Sequence, residues 1–158
     1  MKQKRLAESS KANLSPSIDN RRARFEYYIL ESVEAGLALT GTEIKSIRAG
    51  GVSLNEAYAR MRDGELWLMS MHIPPYKEGS FSNHEPLRPR KLLLHKEQIE
   101  RLSSRVAEKG LTLVALRMYF TRGRVKVEVG LARGKKTWDK RAAVAERDAK
   151  RDLARELR

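Results

Sequence analysis

Residues 113–132 read LVALRMYFTRGRVKVEVGLA, and this stretch decides the fold. Four apolar residues alternate with charged or small residues along its second half: Val125, Val127, Val129 and Leu131. This alternation is the period of a strand with one buried face. Gly123 separates the two apolar runs, at a place where a hairpin turn requires a residue that tolerates positive φ. The stretch therefore predicts an antiparallel hairpin of two strands, Leu113–Thr121 and Arg124–Ala132.

A second hairpin is predicted upstream, where Asp63-Gly64 separates EAYARMR (residues 56–62) from ELWLMS (residues 65–70). The Asp-Gly dipeptide suits a two-residue hairpin turn because both positions tolerate positive φ. Tyr58, Arg60 and Arg62 share one face of the first strand. That face is aromatic and basic, as an RNA platform requires, although an ordinary solvated strand face has the same pattern.

A long strand is predicted from Phe25 to Leu39, upstream of both hairpins. Apolar residues alternate through Phe25, Tyr27 and Ile29, and a second alternating run begins at Val33 after an interruption at Leu30-Glu31. We expect a β-bulge near Leu30-Glu31, where the first run ends.

Two helices interrupt the strands. The run Thr40-Gly41-Thr42-Glu43 has the form of a capping box and Gly50-Gly51 can end a helix, so a short helix is expected between them. Residues 95–109 place Ile99, Leu102 and Val106 on one face and stop at Gly110, which predicts the main amphipathic helix. Four of the five prolines fall within residues 74–89, which indicates a long exposed loop.

Together these elements predict a mainly β fold with α-helices, an antiparallel β-barrel of the OB type over residues 20–133. A ferredoxin-like sandwich is the alternative that periodicity leaves open. Residues 1–19 are polar and without apolar period, so they are expected to form a flexible basic leader. Residues 134–158 form a separate basic tail.

The net charge of +13 is concentrated at the two ends of the chain. Residues 1–24 hold seven basic and two acidic residues, residues 133–158 hold ten and five, and the middle holds sixteen and thirteen. A near-neutral body with two basic arms is suited to contacts along phosphates, each of which releases counterions. Cysteine is absent and no apolar run approaches the ~18 residues of a membrane span. A cytoplasmic protein without a membrane partner is therefore expected.

The tail is predicted to form a helix only on a partner. At ~100° per residue, a helix over the tail places its cations in one sector of its surface. Acidic residues occupy the next sector, and alanines and leucines occupy the third. The cationic sector contains Lys140, Arg147, Arg151, Arg155 and Arg158. A lone helix of this length is marginal in water, although docking on the barrel through Leu153 and Leu157 is an alternative. Trp138 lies among lysines, so it suits either base stacking or a buried structural role.

The residues that would carry chemistry are missing. His72, His84 and His95 have no ligand spacing with carboxylates, and no phosphate loop or nucleophile motif is present. We therefore expect no catalytic residue, no metal and no cofactor. A hydrolase that uses His72 or His95 is one rival interpretation, and a general single-stranded nucleic-acid-binding module of the OB type is another.

Five motifs resemble those of the SsrA-binding protein family. Its members are the bacterial partners of transfer-messenger RNA (tmRNA) in ribosome rescue. The motifs are NRRAR at residues 20–24, EAGLAL at 34–39, GTEIKSIRAG at 41–50, RKLLLH at 90–95 and GLARGKKTWDKR at 130–141. The resemblance implies an OB-type barrel that binds the tRNA-like domain of this RNA. It also implies a tail that becomes helical in the empty mRNA channel of a stalled 70S ribosome, with one protein monomer per tmRNA.

The resemblance also implies the site residues. The RNA-binding set would be Asn20, Arg21, Arg22, Arg24, Glu34, Leu93, Lys126, Gly134, Lys135 and Lys136. The ribosome-binding set, at the decoding centre of 16S rRNA and in the mRNA channel, would be Trp138, Asp139, Lys140, Arg141, Arg147, Arg151 and Arg155. Glu34 cannot attract phosphate, but its carboxylate can accept hydrogen bonds from base amino groups or orient a neighbouring arginine.

Overall fold

The computed structural model describes residues 17–79, 83–107 and 110–157, without the side chain of Thr137. The strands in these residues are β1 (Ser17–Asp19), β2 (Tyr27–Leu37), β3 (Tyr58–Arg62), β4 (Glu65–Met69), β5 (Arg90–Leu93), β6 (Leu111–Thr121) and β7 (Arg124–Gly134). The helices are α1 (Arg21–Glu26), α2 (Gly41–Ala49), α3 (Lys96–Val106) and α4 (Thr137–Glu156).

The sheet closes on itself as an antiparallel barrel. Strands β6, β3, β4, β5, β2 and β7 follow one another around the sheet, and β7 pairs with β6 to complete the circle. Closure leaves no free edge among these six strands and encloses a core built from every one of them. This arrangement confirms the predicted mainly β fold and excludes the ferredoxin-like sandwich.

Both predicted hairpins are present. Asp63 and Gly64 have φ of 52° and 77°, and Arg122 and Gly123 have φ of 52° and 74°, as type I′ turns require at both central positions. The β6–β7 hairpin is longer than predicted and runs from Leu111 to Gly134. Its alternate residues Val127, Val129 and Leu131 are buried, so the period of two does identify the core face.

The predicted bulge in the long upstream strand is confirmed, but the predicted start of that strand is wrong. The register between β2 and β7 shifts between Ile29 and Glu31, which leaves Leu30 as the extra residue. Residues 21–26 form α1, so the strand begins at Tyr27 and not at Phe25. The alternation from Phe25 therefore extends across a helix end by coincidence.

The two predicted helices are also present. Thr40 and Glu43 form the reciprocal capping box at the start of α2, and Gly50 ends this helix with φ of 94°. Helix α3 covers the barrel with Leu102 buried and with Ile99 and Val106 packed against the core. These contacts stabilise the two helices by burying one apolar face of each.

The predicted flexible leader is too long by three residues. Ser17, Ile18 and Asp19 form β1, which pairs with Tyr119, Met118 and Arg117 of β6. Residues 1–16 lie outside the described part of the chain. The leader therefore contributes a short strand beside the barrel because its last residues find backbone partners on β6.

The described parts of the predicted loop, residues 74–79 and 83–89, contain no strand or helix. A buried ion pair anchors it to the barrel: the Glu43 carboxylate accepts from Arg90 and from Arg88. Arg90 also donates to the Met71 carbonyl at 2.7 Å. The His84 ring lies 3.0 Å from both the Thr42 hydroxyl and the Ile73 carbonyl. These side chains fix the loop together with a backbone hydrogen bond, in which the Ile73 N–H donates to the Pro86 carbonyl at 3.0 Å.

Candidate nucleic-acid interface

An open groove of about 800 Å³ lies where β2, β5 and β7 meet beside α3. Glu34, Leu93 and Lys126 all line it, although they come from three separate strands. The closed barrel brings them together because β2 pairs with β5 on one side and with β7 on the other. The structure thus places three residues of the implied RNA-binding set in one surface, which we call the groove.

Leu93 supplies an exposed apolar side chain to the groove. It stands on the outer face of β5 and is 50% exposed, whereas Leu92 faces the core. Gly36 allows the close approach of β2 to this side chain, because a Cβ on Gly36 would lie 3.1 Å from the Cβ of Leu93. An exposed leucine held in this way offers a surface against which a base or a ribose can pack.

Glu34 is oriented by Tyr119, whose hydroxyl donates a hydrogen bond to its carboxylate. Burial, together with this hydrogen bond and the negative charge of Glu34, raises the pKa of Tyr119 to about 12. The phenol therefore stays protonated at neutral pH and keeps its role as donor. One carboxylate oxygen is held by Tyr119, which leaves lone pairs for amino groups on a base edge.

Sequence reasoning missed several cations around the groove. Lys91 and Lys96 line it together with His95. Arg122 and Arg124 extend it around the β6–β7 turn, where an adjoining depression is lined by Glu34 and Lys126 as well. The signal that identifies Lys91 is its position between the buried residues Arg90 and Leu92, which places it on the outer face of β5. The groove thus places the Glu34 carboxylate and the exposed Leu93 side chain among several cations, of which Lys91 is paired with Glu65 at 2.8 Å.

Asn20 is not exposed, in contrast to its implied role as an RNA contact. Its side chain caps α1 by accepting from the Ala23 N–H and donates to the carbonyls of Leu54 and Ala115 at 2.8 and 2.7 Å. Only 1% of the residue is accessible. Asn20 is therefore corrected to a positioning residue: buried polar groups must be paired, and its side chain is paired within the protein.

The arginines that follow Asn20 lie on the exposed side of α1. Arg22 forms ion pairs with Glu26 at 3.0 Å and Glu56 at 3.7 Å, and Arg24 lies 3.7 Å from Asp19. Arg21 has no ion-pair partner among the described residues. The buried side of α1 is held by Ala23, which packs on Val114, Leu116 and Ala132 in a small cluster outside the main core.

The root of the tail is attached to α1. The Lys135 N–H donates to the Glu26 carbonyl at 2.8 Å. The Lys135 ammonium and the Arg133 guanidinium lie 5.1 and 5.5 Å from the centre of the Tyr28 ring. Desolvation and a hydrogen bond to Asp139 raise the pKa of Tyr28. Gly134, Lys135 and Lys136 thus form a basic surface with the α1 arginines, which we call the tail root.

The groove and the tail root lie at opposite ends of the β2–β7 pair. Tyr27 is paired with Gly134 at one end, and Glu34 is paired with Glu128 seven residues further along β2. At ~3.3 Å per residue, Tyr27 and Glu34 are about 23 Å apart along β2. The structure therefore divides the implied RNA-binding set into two surfaces instead of one.

The tail is a helix in the structure, and its tryptophan and both of its leucines are exposed. Leu153 and Leu157 are 57% and 80% accessible, so docking on the barrel through these leucines is excluded. Trp138 is 68% accessible, which excludes the buried structural role. The Arg147 guanidinium lies 6.0 Å from the Phe25 ring of α1. That the free protein forms this helix only on a partner stays a prediction.

All seven residues of the implied ribosome-binding set lie on α4. Trp138, Asp139, Lys140 and Arg141 lie at its start, and Arg147, Arg151 and Arg155 follow along its length. Glu146 pairs with Lys150 at 3.2 Å, and Arg151 lies 3.6 Å from Asp148. Exposed pairs of this kind contribute little, so the helix keeps most of its charge available to a partner.

Within the described ranges, no group of three His, Asp or Glu side chains is placed to hold a metal ion. None of the helices described is long and apolar enough to cross a membrane.

Comparison with known proteins gives a consistent result. The family model for SmpB protein matches residues 17–158. The curated SsrA-binding proteins of Symbiobacterium thermophilum and Desulforudis audaxviator are 53% and 57% identical to this chain. The first alignment covers 94% of this chain and 95% of the relative, and the second covers 88% and 91%.

A solved structure is similar over most of the chain. One chain of a structure described as "tmRNA-SmpB: a journey to the center of the bacterial ribosome" is 54% identical and superposes with a TM-score of 0.67. The superposition covers 82% of this chain and 94% of that chain.

Proposed function

The chain belongs to the SmpB protein family, and from that premise we propose that it is an RNA-binding adaptor of trans-translation. It binds the tRNA-like domain of tmRNA and delivers this RNA to stalled ribosomes, which rescues the ribosome and tags the incomplete protein for degradation. The observation that carries the proposal is the convergence of Glu34, Leu93 and Lys126 in one groove of a closed barrel.

The groove is suited to a folded RNA rather than to any polyanion. Lys126, Lys91 and Arg124 provide charge for phosphates, which contributes affinity without sequence information. Leu93 and the oriented carboxylate of Glu34 require an unstacked base or an exposed base edge at a defined place. A structured RNA loop presents both features at once, whereas a regular duplex hides the faces of its bases.

In this proposal residues 134–136 and α4 contact the ribosome, whereas Arg21, Arg22 and Arg24 of α1 stay in the set that binds tmRNA. Trp138 is exposed beside Lys135, Lys136, Lys140 and Arg141, so a ribosomal base can stack on it while these cations hold phosphates. The cationic side of α4 then follows the empty mRNA channel through Arg147, Arg151 and Arg155. The protein and the tRNA-like domain together take the place of a charged tRNA at the decoding centre.

The proposed role requires no catalysis and no cofactor, because peptide transfer belongs to the ribosome. The protein acts in the cytoplasm, where its RNA and ribosome partners are, as a monomer with one copy per tmRNA.

A gel-shift titration tests the groove. The double variant Leu93→Ala/Lys126→Ala should bind the isolated tRNA-like domain at least tenfold more weakly at ~0.15 M salt, because one apolar side chain and one phosphate-binding cation are removed. The control Lys150→Ala removes an exposed lysine of α4 and should bind as the wild type does. Equal affinity of the double variant and the wild type would remove the groove from the proposal.

The same titration separates this proposal from a general single-stranded nucleic-acid-binding module. Random RNA and single-stranded DNA should bind at least ten times more weakly than the tRNA-like domain at ~0.15 M salt, where the phosphate attraction is reduced. Similar affinities and similar salt slopes for all three nucleic acids would support the general module instead.

A truncation tests whether the barrel binds the tRNA-like domain without the tail. Deleting residues 138–158 should leave affinity for the tRNA-like domain within about twofold, because the groove lies about 23 Å from the tail root. The same deletion should abolish tagging in a reconstituted translation reaction on a message without a stop codon. Loss of RNA affinity in the truncated protein would place the tail on tmRNA.

A further inference from the structure

The outer face of β3, β4 and β5 carries a second set of aromatic and basic side chains. Leu66, Leu68 and Leu92 are fully buried, so the residues between them point away from the core. Arg60 is paired with Trp67, and Trp67 is paired with Lys91 on the next strand. Because paired residues of neighbouring strands project on the same side, these three side chains form a row across the sheet.

One further row flanks the first on each side, and the three rows together contain more basic than acidic side chains. Tyr58 is paired with Met69, and Arg62 with Glu65. Lys91 forms an ion pair with Glu65 at 2.8 Å, whereas neither Arg60 nor Arg62 has an ion-pair partner among the residues described. Tyr58, Arg60 and Arg62 are exposed on this face, and Trp67 between them is half-buried. We call this surface the β3–β5 face.

The β3–β5 face is continuous with the groove. Lys91 belongs to both, since it lies beside Trp67 on the face and also lines the groove. Glu65 and Leu93 likewise line the groove from β4 and β5. A strand of RNA that leaves the groove can therefore pass directly onto the β3–β5 face by way of Lys91.

We propose that the β3–β5 face is a second RNA-binding surface, which takes an unpaired RNA segment with a base stacked on Trp67 and phosphates held by Arg60 and Arg62. The proposal rests on the function proposed for the groove. Sheet faces that bind single strands combine stacking aromatics with cations along the backbone path, and this face has both. An acidic peptide would satisfy the arginines but would leave the aromatic side chains unused.

Binding of a short unstructured RNA tests the face directly. With a uridine decamer as probe, Trp67→Leu should lower affinity about tenfold, because it keeps an apolar side chain but removes the stacking surface. The double variant Arg60→Gln/Arg62→Gln should reduce the slope of log affinity against log salt by about 1.4, because each phosphate that a cation neutralises on a single strand adds ~0.7 to that slope.

A charge-matched control distinguishes a site from general attraction. Lys77→Gln/Lys150→Gln removes the same charge from two exposed positions outside the proposed contact sets, and its salt slope for the decamer should stay close to that of the wild type. Equal reductions in the two double variants would overturn the proposal, since they would show that only net charge matters. Unchanged decamer affinity in Trp67→Leu, with a circular dichroism spectrum and melting temperature like those of the wild type, would also overturn it.

Ultraviolet cross-linking identifies the source of the RNA. Full-length protein is irradiated with tmRNA, in the presence and absence of ribosomes, and the tryptic peptide of residues 63–77 is analysed for a nucleotide on Trp67. A cross-link to tmRNA and a cross-link to ribosomal RNA both support the proposal and tell the two sources apart. Cross-links restricted to peptides of the groove and the tail would contradict it.

Separate variants test the groove and the β3–β5 face, so a defect in one surface can be told apart from a defect in the other. Leu93→Ala/Lys126→Ala weakens binding of the tRNA-like domain if the groove works as proposed, whatever happens on the β3–β5 face. Trp67→Leu and Arg60→Gln/Arg62→Gln should leave affinity for the isolated tRNA-like domain within about threefold, because that RNA is held by the groove. The two surfaces are therefore tested by different RNAs and different variants.

Discussion

Asn20 connects three parts of the protein through one buried residue. Its carboxamide joins the start of α1 to the carbonyls of Leu54 and Ala115, and its own N–H donates to the Leu116 carbonyl at 2.8 Å. Leu54 precedes β3, whereas Ala115 and Leu116 lie at the bulge of β6. The residue therefore sets the position of the α1 arginines although it does not reach the surface.

Replacing Asn20 by Ala should destabilise the protein by at least ~2 kcal/mol, because the helix loses its cap and two buried carbonyls lose their donor. Urea unfolding followed by circular dichroism measures this destabilisation. Asn55→Ala alters an exposed asparagine nearby and should change the free energy of unfolding by less than ~0.5 kcal/mol. A stable Asn20→Ala variant with weak RNA binding would restore Asn20 as a direct contact.

Glu43 and Arg90 form a charged pair with no exposed side-chain surface. Replacing Glu43 by Gln should cost ~3–5 kcal/mol at neutral pH, because the Arg90 charge stays buried without its counter-ion. Glu65→Gln breaks an exposed pair with Lys91 and should cost no more than ~1 kcal/mol. The two variants are compared by their urea midpoints, and equal midpoints would mean that water reaches the Arg90 site.

The same pair predicts a dependence of stability on pH. Burial disfavours ionisation of Glu43, but hydrogen bonds from the Thr40 N–H, Arg88 and Arg90 outweigh it and lower the pKa of the carboxyl below 4.5. A lowered pKa stabilises the fold above the unfolded-state value, and this stabilisation is lost as the pH falls through the folded-state value. The difference between wild type and Glu43→Gln should therefore shrink below about pH 4.

Among the elements, α4 has the weakest attachment to the rest of the protein. Its contacts are with α1, through the Phe25 ring and the tail root, and its leucines face solvent. Helices are stabilised mainly by an apolar face packed on other elements, and α4 packs almost none. In contrast, α3 buries Leu102 in the barrel core.

Hydrogen exchange should show this difference between the two helices. In the free protein the amides of residues 141–156 should exchange at least ~10³ times faster than those around Leu102 of α3, since α4 opens without disturbing the core. Mass spectrometry of peptides from both helices gives the rates. Protection of α4 equal to that of α3 would show a tail that is folded and docked in the free protein.

On the scale of the whole molecule, the barrel keeps the two proposed contact surfaces apart. The groove lies at one end of the β2–β7 pair and the tail root at the other, with a ladder of backbone pairing between them. A protein that spans the distance between the tRNA-like domain and the decoding centre requires such a rigid spacer. The seven-stranded sheet provides it because closure restrains every strand of the barrel.

Separation of the two surfaces predicts independent defects. Leu93→Ala should weaken binding of the tRNA-like domain, whereas Trp138→Ala should leave that affinity unchanged and reduce tagging on stalled ribosomes. The double variant should show both defects without interaction, because sites this far apart usually add within ~0.3–0.5 kcal/mol. Filter binding and a tagging reaction measure the two quantities. A large coupling energy would show that the barrel transmits a change between its ends.

Features that depend on neighbours along the chain could be predicted from the amino-acid sequence. The hairpin turns at Asp63-Gly64 and at Gly123 and the capping box of Thr40 and Glu43 follow from local backbone preferences, and an interruption of the apolar alternation marks the bulge at Leu30. Helix α1 escaped this reasoning because its six residues are too few to show a helical period, and because Asn20 and Ala23 hold it by tertiary contacts.

Which residues meet in space depends on how the strands pair. Glu34, Leu93 and Lys126 form one groove, Arg60, Trp67 and Lys91 form one row, and Asn20 is buried, because strands far apart in the chain pair in a particular register. A shift of one residue in any of these ladders would turn the same side chains to the opposite face. Local periodicity contains no information about that register, since it is set by closure of the barrel around its core.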